Sequence, residues 1–179
     1  DSKGNDVGKS QKTISIGAGE TVNVTQLIDI DKPQLWNPET PALYKAHLAI
    51  SEDGTVKDKM TETFGVRTIE YTAEQGFLLN GKKVELNGGC IHHDNGILGA
   101  AAFDRAEVRK VELMKAAGFN AVRTSHNHPS EAFLHACDSI GLLVIDEAFD
   151  GWRSPKQPYD YSILIDKHWQ EDVAALVLR

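Results

Sequence analysis

The second half of the chain alternates short apolar runs with amphipathic segments, and this alternation constrains the fold more than any other feature. The joints GFNAV, at residues 118–122, and GLLVI, at residues 141–145, each connect a predicted helix to a predicted strand. Joints this short are typical of right-handed βαβ units, in which consecutive strands lie parallel. The sequence therefore predicts an α/β region built on a parallel sheet.

Hydrophobic periodicity and capping residues locate the elements of this region. The predicted strands are Val84–His92, Asn120–His126 and Leu142–Ile145, the last of them buried on both faces. The predicted helices are Asp104–Ala117, capped by Asp104 and stopped by Gly118; Ser130–Ile140, capped by Ser130 and stopped by Gly141; and one from about Asp166 whose apolar stripe, Trp169, Val173 and Leu176, still runs at Arg179.

The three strands end in polar residues, at Asp94, His126 and Glu147. Functional residues at successive strand ends are typical of a (β/α)₈ TIM barrel, which takes roughly 250 residues. The residues from Lys83 onward suffice for about three of its eight βα units. We therefore expect an incomplete barrel.

The first half of the chain has the pattern of an all-β sandwich: short runs in which apolar and polar residues alternate, separated by glycines and prolines. An immunoglobulin-like sandwich takes about seven strands and about 100 residues, so this region predicts only part of one. The sequence thus indicates a mixed fold, with a partial sandwich at residues 1–72 and the start of a barrel at residues 73–179. The predicted strands are Thr13–Ile16, Thr21–Leu27, Tyr44–Ile50 and Phe64–Tyr71, followed by a hairpin that joins Phe77–Leu79 to Lys83–Leu86 through a type I′ turn at Asn80 and Gly81.

Composition excludes some classes of partner. The net charge of −7 argues against a nucleic-acid partner, which needs clustered Lys and Arg. No apolar run approaches the roughly 18 residues that a membrane span requires, and the first residues do not resemble a signal peptide. Cys90 and Cys137 are expected to be buried and to pack as small hydrophobic residues. Two such cysteines do not indicate whether the compartment is cytoplasmic or periplasmic.

The polar strand ends supply the candidate site residues. Strand alternation places His92 and Asp94 on one face, and it separates the side chains of the adjacent Asp146 and Glu147, which argues against a catalytic carboxylate pair. His126 and His128 form an HxH pair of the kind that metal hydrolases use. A metal-dependent barrel hydrolase using His92, Asp94, His126 and His128 is therefore one alternative.

Several segments together carry a family resemblance. The run NAVRTSHNHP closely resembles the signature of glycoside hydrolase family 2, which includes β-galactosidases, β-glucuronidases and β-mannosidases. The resemblance covers about Ile30 to Trp152 in order and spacing. The segments that agree are LWNPETPALY, FGVRTIE, FLLNGKKVELNG, GGCIHHDNGILGAAAFDRAEVRKVELMKAAGFNAVR and CDSIGLLVIDEAFDGW.

The resemblance implies a sugar pocket. In it His92 and His126 would contact sugar hydroxyls, Arg123 would lie beside the nucleophilic carboxylate, and Asp146 and Glu147 would line the same pocket. The family's catalytic glutamates lie on later strands, one of them directly after an asparagine, and this chain has no Asn-Glu dipeptide. We therefore expect both glutamates beyond Arg179. Some family members bind magnesium, but at those positions this chain has Gly151 and neighbours that do not match the ligands.

The resulting expectation is part of a retaining glycoside hydrolase for β-linked sugars, β-galactosidase-like, with no cofactor and no metal. Alone, the fragment is expected to be inactive. It is also expected to self-associate, because an open parallel sheet leaves an unpaired edge and uncovered apolar surface. A third alternative is a non-catalytic carbohydrate-binding module.

Overall fold

A computed structural model describes residues 1–178 of the chain. These residues divide into two compact units: one contains residues 1–36 and 42–66, and the other contains residues 37–41 and those from 67 onward. No helix in the described part is long and apolar enough to cross a membrane. The predicted domain boundary between residues 72 and 73 stays a prediction.

The first unit contains one antiparallel ribbon, formed by β1 (Leu43–Glu52) and β2 (Thr55–Gly65). Tyr44 stacks on Phe64 across the ribbon, with ring centroids 5.7 Å apart. The indole of Trp36 is buried against Gly65, where a Cβ atom would lie 3.1 Å from the Trp36 side chain. The strand predicted over Tyr44–Ile50 is confirmed as part of β1.

Three other strand predictions in this region are wrong. Thr13–Ile16 and Thr21–Leu27 form no strand, because no neighbouring segment of the described chain supplies ladder hydrogen bonds to them. Phe64–Tyr71 is not one strand, since β2 ends at Gly65 and the next strand starts four residues later. Most of β2 was not predicted because Val56 and Met60 are the only apolar residues of its TVKDKMTET run, and in the structure every β2 residue is exposed.

The second unit begins with a small antiparallel sheet of β3 (Ile69–Thr72), β4 (Gly76–Leu79) and β5 (Lys82–Lys83). Leu79 pairs with Lys82 across a two-residue turn. The turn residues Asn80 and Gly81 have φ values of 53° and 72°, as a type I′ turn requires. The predicted turn and the strand before it are therefore confirmed, but the second strand is Lys82–Lys83 and does not extend to Leu86 as predicted.

A parallel three-stranded sheet follows, in the order β6-β7-β8, which confirms the predicted parallel arrangement. Helices α1 and α2 pack against each other, and the buried core of this region comes from α1, α2, β7 and the start of the β8 segment. The strands are β6 (Gly88–Ile91), β7 (Ala121–Thr124) and β8 (Leu143–Ile145), and the helices are α1 (Asp104–Ala116), α2 (Glu131–Ile140) and α3 (Ser162–Val177), with a 3₁₀ turn at Gly96–Leu98. The core residues are Val111, Val122, Phe133, Ala136, Cys137 and Leu142.

The helix ends test the predicted caps. Ser130 caps α2 as predicted, because its hydroxyl accepts a hydrogen bond from the amide of Phe133 at 3.2 Å. Asp104 is not the cap of α1: the extended residue Phe103 precedes the helix, and Asp104 is the first helical residue. An acidic side chain in the first turn still favours the helix through the positive end of its dipole.

Glycine is required directly after α2. Gly141 has φ 89°, and a Cβ atom there would lie 2.3 Å from the carbonyl oxygen of Pro38. Both the left-handed conformation and this close backbone approach exclude a side chain. The predicted helix stop is confirmed, and it allows the chain to enter β8 within two residues.

Several burial and boundary predictions differ from the structure. Ile145 is 48% exposed, so β8, which lies at one edge of the described sheet, is not buried on both faces. Cys90 is exposed rather than buried, whereas Cys137 is buried as predicted. Helix α3 begins at Ser162, four residues before the predicted start, because Asp160 accepts the amide hydrogen of Ser162. The predicted continuation of its stripe to Arg179 lies outside the described residues.

Candidate functional site

The candidate site lies at the carboxyl ends of the three parallel strands. Arg123 belongs to β7, and His126 lies two residues after the end of β7. His92 directly follows β6. Glu147 lies two residues after β8. Parallel pairing places these strand ends side by side, so four of the five predicted site residues meet in one cluster.

Glu147 is the centre of this cluster. Its Oε1 atom accepts a hydrogen bond from Arg123 Nη2 at 2.9 Å and lies 2.9 Å from His126 Nδ1. Its other oxygen, Oε2, is buried and has no hydrogen-bond partner among residues 1–178. Burial raises the pKa of the Glu147 carboxyl, but the bonds from His126 and Arg123 outweigh burial and hold the pKa below its ordinary value. Glu147 is therefore an ionised group that contacts both Arg123 and His126.

The imidazole of His126 lies between two carboxylates. Its Nδ1 atom faces Glu147, and its Nε2 atom lies 3.2 Å from Asp150 Oδ1. Asp150 also accepts from Lys156 Nζ at 2.5 Å, and this bond is the main reason why the pKa of Asp150 is lowered. Both ring nitrogens of His126 therefore lie within hydrogen-bond distance of a carboxylate oxygen.

Thr124 connects the ends of β7 and β8. Its buried hydroxyl donates to Asp146 Oδ1 at 3.0 Å and accepts from the backbone amide of Glu147 at 3.1 Å. Asp146 and Glu147 thus bond different partners, as strand alternation predicts. Asp146 therefore supports the loop that carries Glu147 and does not join the Arg123–Glu147–His126 cluster.

The histidines named in the metal alternative do not form a metal site. The ring of His92 packs edge-on against His126, with centroids 5.7 Å apart, whereas Asp94 turns back to accept the amide hydrogen of Gly96. Within residues 1–178, no group of three or more His, Cys, Asp or Glu side chains is arranged to hold a metal ion. Nothing in this part of the chain supports the metal-dependent alternative.

Cys90 is a member of the site that was expected to be a buried hydrophobe. Its Sγ atom accepts a hydrogen bond from Arg123 Nη1 at 3.2 Å. The Ser125 hydroxyl and the Arg123 guanidinium beside the sulfur lower the pKa of the thiol. Burial raises the pKa of Cys137, the other cysteine. The two thiols therefore differ in both access and acidity.

We expect iodoacetamide at pH 7 to alkylate Cys90 at least tenfold faster than Cys137, because the exposed thiolate is the nucleophile. Peptide mass spectrometry over a time course measures both rates in the same sample, so Cys137 is the internal control. Arg123→Met should slow alkylation of Cys90 by removing a cation next to its sulfur. Equal rates at the two cysteines would contradict the predicted difference.

Sequence reasoning assigned no role in the site to Thr124, Asp150 or Lys156. Thr124 reads as an ordinary β-branched strand residue, and nothing in its local pattern shows that its hydroxyl joins two strand ends. Lys156 lies in a polar loop before α3, where a lysine carries no signal. The DEAFD spacing was the one available hint, because it returns a carboxylate to the strand end three residues after Glu147.

Comparison with known proteins identifies the family. Residues 70–161 match the model of the glycosyl hydrolases family 2 TIM barrel domain, and residues 1–67 match the model for glycosyl hydrolases family 2. The chain therefore belongs to glycosyl hydrolase family 2. The expected fold class, a partial immunoglobulin-like region followed by an incomplete TIM barrel, is confirmed.

Relatives agree with this assignment. The chain is 37% identical to the β-galactosidase BoGH2A of Bacteroides ovatus over its whole length and covers 21% of that protein. It is 43% identical to a putative β-glucuronidase of Formosa agariphila, covering 85% of the chain and 15% of the relative. A crystal structure of a family 2 member from Bacteroides cellulosilyticus matches with a TM-score of 0.79 and 55% identity, covering 85% of this chain and 20% of that one. The chain thus spans about a fifth of these relatives or less.

Proposed function

We propose that this chain is part of a retaining glycoside hydrolase that cleaves β-linked sugars, and that it supplies one wall of the sugar pocket. The observation that carries the proposal is the Arg123–Glu147–His126 cluster at the carboxyl ends of parallel strands. Such a cluster presents both N–H donors and carboxylate acceptors, and a sugar hydroxyl needs both. In this proposal His92, Arg123, His126 and Glu147 bind substrate, and Asp146 orients the loop that carries Glu147.

The family's retaining mechanism needs one carboxylate that attacks the anomeric carbon and a second that protonates the leaving oxygen. Glu147 is committed to Arg123 and His126, so we assign neither role to it. The two catalytic glutamates are proposed to follow Arg179 in the full-length enzyme. The described residues then bind and orient the sugar.

Charge pairing in the site favours a neutral sugar, as in a β-galactosidase. Arg123 is paired with Glu147, His126 lies between Glu147 and Asp150, and Lys156 is paired with Asp150. A substrate carboxylate would therefore meet cations that are already neutralised within this cluster. A glucuronide would gain little from them, whereas a galactoside needs no free cation.

Steady-state assays of the full-length enzyme with p-nitrophenyl β-galactoside and β-glucuronide test this proposal. We expect kcat/KM to be at least tenfold higher for the galactoside. The two substrates share the leaving group and the β linkage, so each is the control for the other. A preference for the glucuronide would contradict the neutral-sugar assignment, and turnover of neither would contradict the β-galactosidase-like assignment.

A further inference from the structure

Glu107 is a buried charged residue of α1 whose hydrogen bonds go to residues outside the Arg123–Glu147–His126 cluster. It is 4% exposed. Its Oε1 atom accepts from Asn95 Nδ2 at 2.9 Å and from Lys110 Nζ at 3.1 Å. Its Oε2 atom accepts from the Ser130 hydroxyl at 3.3 Å. Both oxygens of this buried carboxylate are therefore bonded.

The partners of Glu107 come from three different parts of the second unit. Asn95 lies in the loop that follows β6, Lys110 lies one turn further along α1, and Ser130 is the cap of α2. Burial raises the pKa of Glu107, but the bonds from Asn95, Lys110 and Ser130 together hold it below its ordinary value. The ionised carboxylate thus joins two loops through a single side chain.

These two loops carry the site histidines. His92 lies three residues before Asn95, and His126 lies four residues before Ser130. The rings of His92 and His126 meet edge-on, with centroids 5.7 Å apart. Any change in the separation of the two loops would therefore change the contact between the two rings.

Glu107 does not itself lie in a substrate pocket. The crevice that it lines with His92, His93, Lys110 and Asn127 has a volume of about 20 Å³. That volume holds roughly one water molecule, so a sugar ring does not fit. The carboxylate can act on substrate only through the residues that it positions.

We infer that Glu107 is a positioning residue that fixes the loops of His92 and His126 against each other; this role rests on the proposed function of these histidines in binding sugar. Because the histidines contact the sugar in both ground and transition states, loosening their loops should raise KM more than it lowers kcat.

Kinetics of the full-length enzyme test the role of Glu107. We expect Glu107→Ala to lower kcat/KM about tenfold to a hundredfold, the scale of effect known for misplacement by about 1 Å. Glu107→Gln should stay within about threefold of wild type, because its amide oxygen can accept from Asn95 and Lys110 while its NH₂ group donates to Ser130. Recovery in the glutamine variant would show that the bonds to the loops matter.

Val111→Ala is the matched control for stability. Val111 is fully buried on the same helix and belongs to the apolar core, so its truncation leaves a cavity without touching either loop. We expect this variant to lower Tm and yet to keep kcat/KM within about twofold of wild type below the transition. A loss of kcat/KM in Val111→Ala equal to that in Glu107→Ala would overturn the inference, as would an unchanged KM and kcat in Glu107→Ala.

If Glu107→Ala does not fold, Asn95→Ala decides the question, because it removes the bond from the β6 loop to Glu107 and leaves the bonds from Lys110 and Ser130 in place. The substitution also removes the bond from Asn95 Nδ2 to the carbonyl oxygen of Ala101, which lies within the same loop. A fivefold to tenfold loss of kcat/KM would support the inference, and an unchanged value would overturn it. Failure of this inference is distinct from failure of the proposed function. If the wild-type enzyme shows normal β-glycosidase turnover and Glu107→Ala is unaffected, the role of Glu107 is contradicted and the proposed function is not.

Discussion

Glu147→Gln should lower kcat/KM of the full-length enzyme about a hundredfold while leaving the protein folded. The substitution keeps the size of the side chain but removes the negative charge of Glu147, which both Arg123 and His126 contact. Hydrogen bonds to charged groups are each worth roughly 1.5–3 kcal/mol, and one such bond lost in the transition state costs about tenfold or more. Steady-state kinetics with a p-nitrophenyl β-glycoside measure the effect.

Asp150→Asn is the matched control for this prediction. It makes the same chemical change on the other side of His126, but the Asp150 side chain is more exposed than that of Glu147, 48% against 20%. Solvent screening weakens ion pairs at exposed positions, so we expect a loss of less than about tenfold. Equal losses in the two variants, or a Glu147→Gln enzyme within twofold of wild type, would show that Glu147 is not the centre of the site.

The pH dependence of stability has a defined sign at Glu147. Its pKa in the folded protein lies below the ordinary value, so the carboxylate stabilises the fold in full above an unfolded pKa of about 4.3. That stabilisation disappears as the pH falls through the lower, folded pKa. The Tm difference between wild type and Glu147→Gln should therefore be constant near neutral pH and shrink below about pH 4.

The barrel region shows what sequence patterns predict well. The α2 segment was located from Ser130 to Gly141 because its cap, its apolar face and its stop are all local signals, and the structure confirms each of them. The Asn80–Gly81 turn was predictable for the same reason. The runs Thr13–Ile16 and Thr21–Leu27 carry an equally good alternating pattern but form no strand in the described chain, since a strand depends on a partner that no local pattern supplies.

The candidate site, like the fold, is predictable where local sequence signals suffice and unpredictable where distant residues must meet. Parallel strand ends predict that His92, Arg123, His126 and Glu147 converge, and the structure brings them together. The sequence does not show that Thr124 holds the amide of Glu147, or that Glu107 joins two loops. Those bonds link residues 12 or 23 positions apart and depend on how side chains pack. Their roles in substrate binding stay predictions.

The isolated 179-residue chain should self-associate. We propose this because β6 and β8 are unpaired on their outer edges in the described sheet, and Ile145 and Ile163 are 48% and 63% exposed. Exposed strand edges and apolar patches recruit other chains. Light scattering coupled to gel filtration should give a mass above 19.7 kDa, and a strictly monomeric mass at working concentration would contradict the proposal.

The same gel-filtration peak should show no turnover of aryl β-glycosides. Retaining hydrolysis needs two carboxyl groups about 5–5.5 Å apart across the scissile bond. Among the described carboxylates of the site, Asp146 is held by Thr124, Glu147 by Arg123 and His126, and Asp150 by Lys156. Circular dichroism of the peak controls for folding, and full-length enzyme at equal concentration controls for the assay. Turnover that co-elutes with the folded fragment would mean that one of these carboxylates is catalytic and that the site does more than bind the sugar.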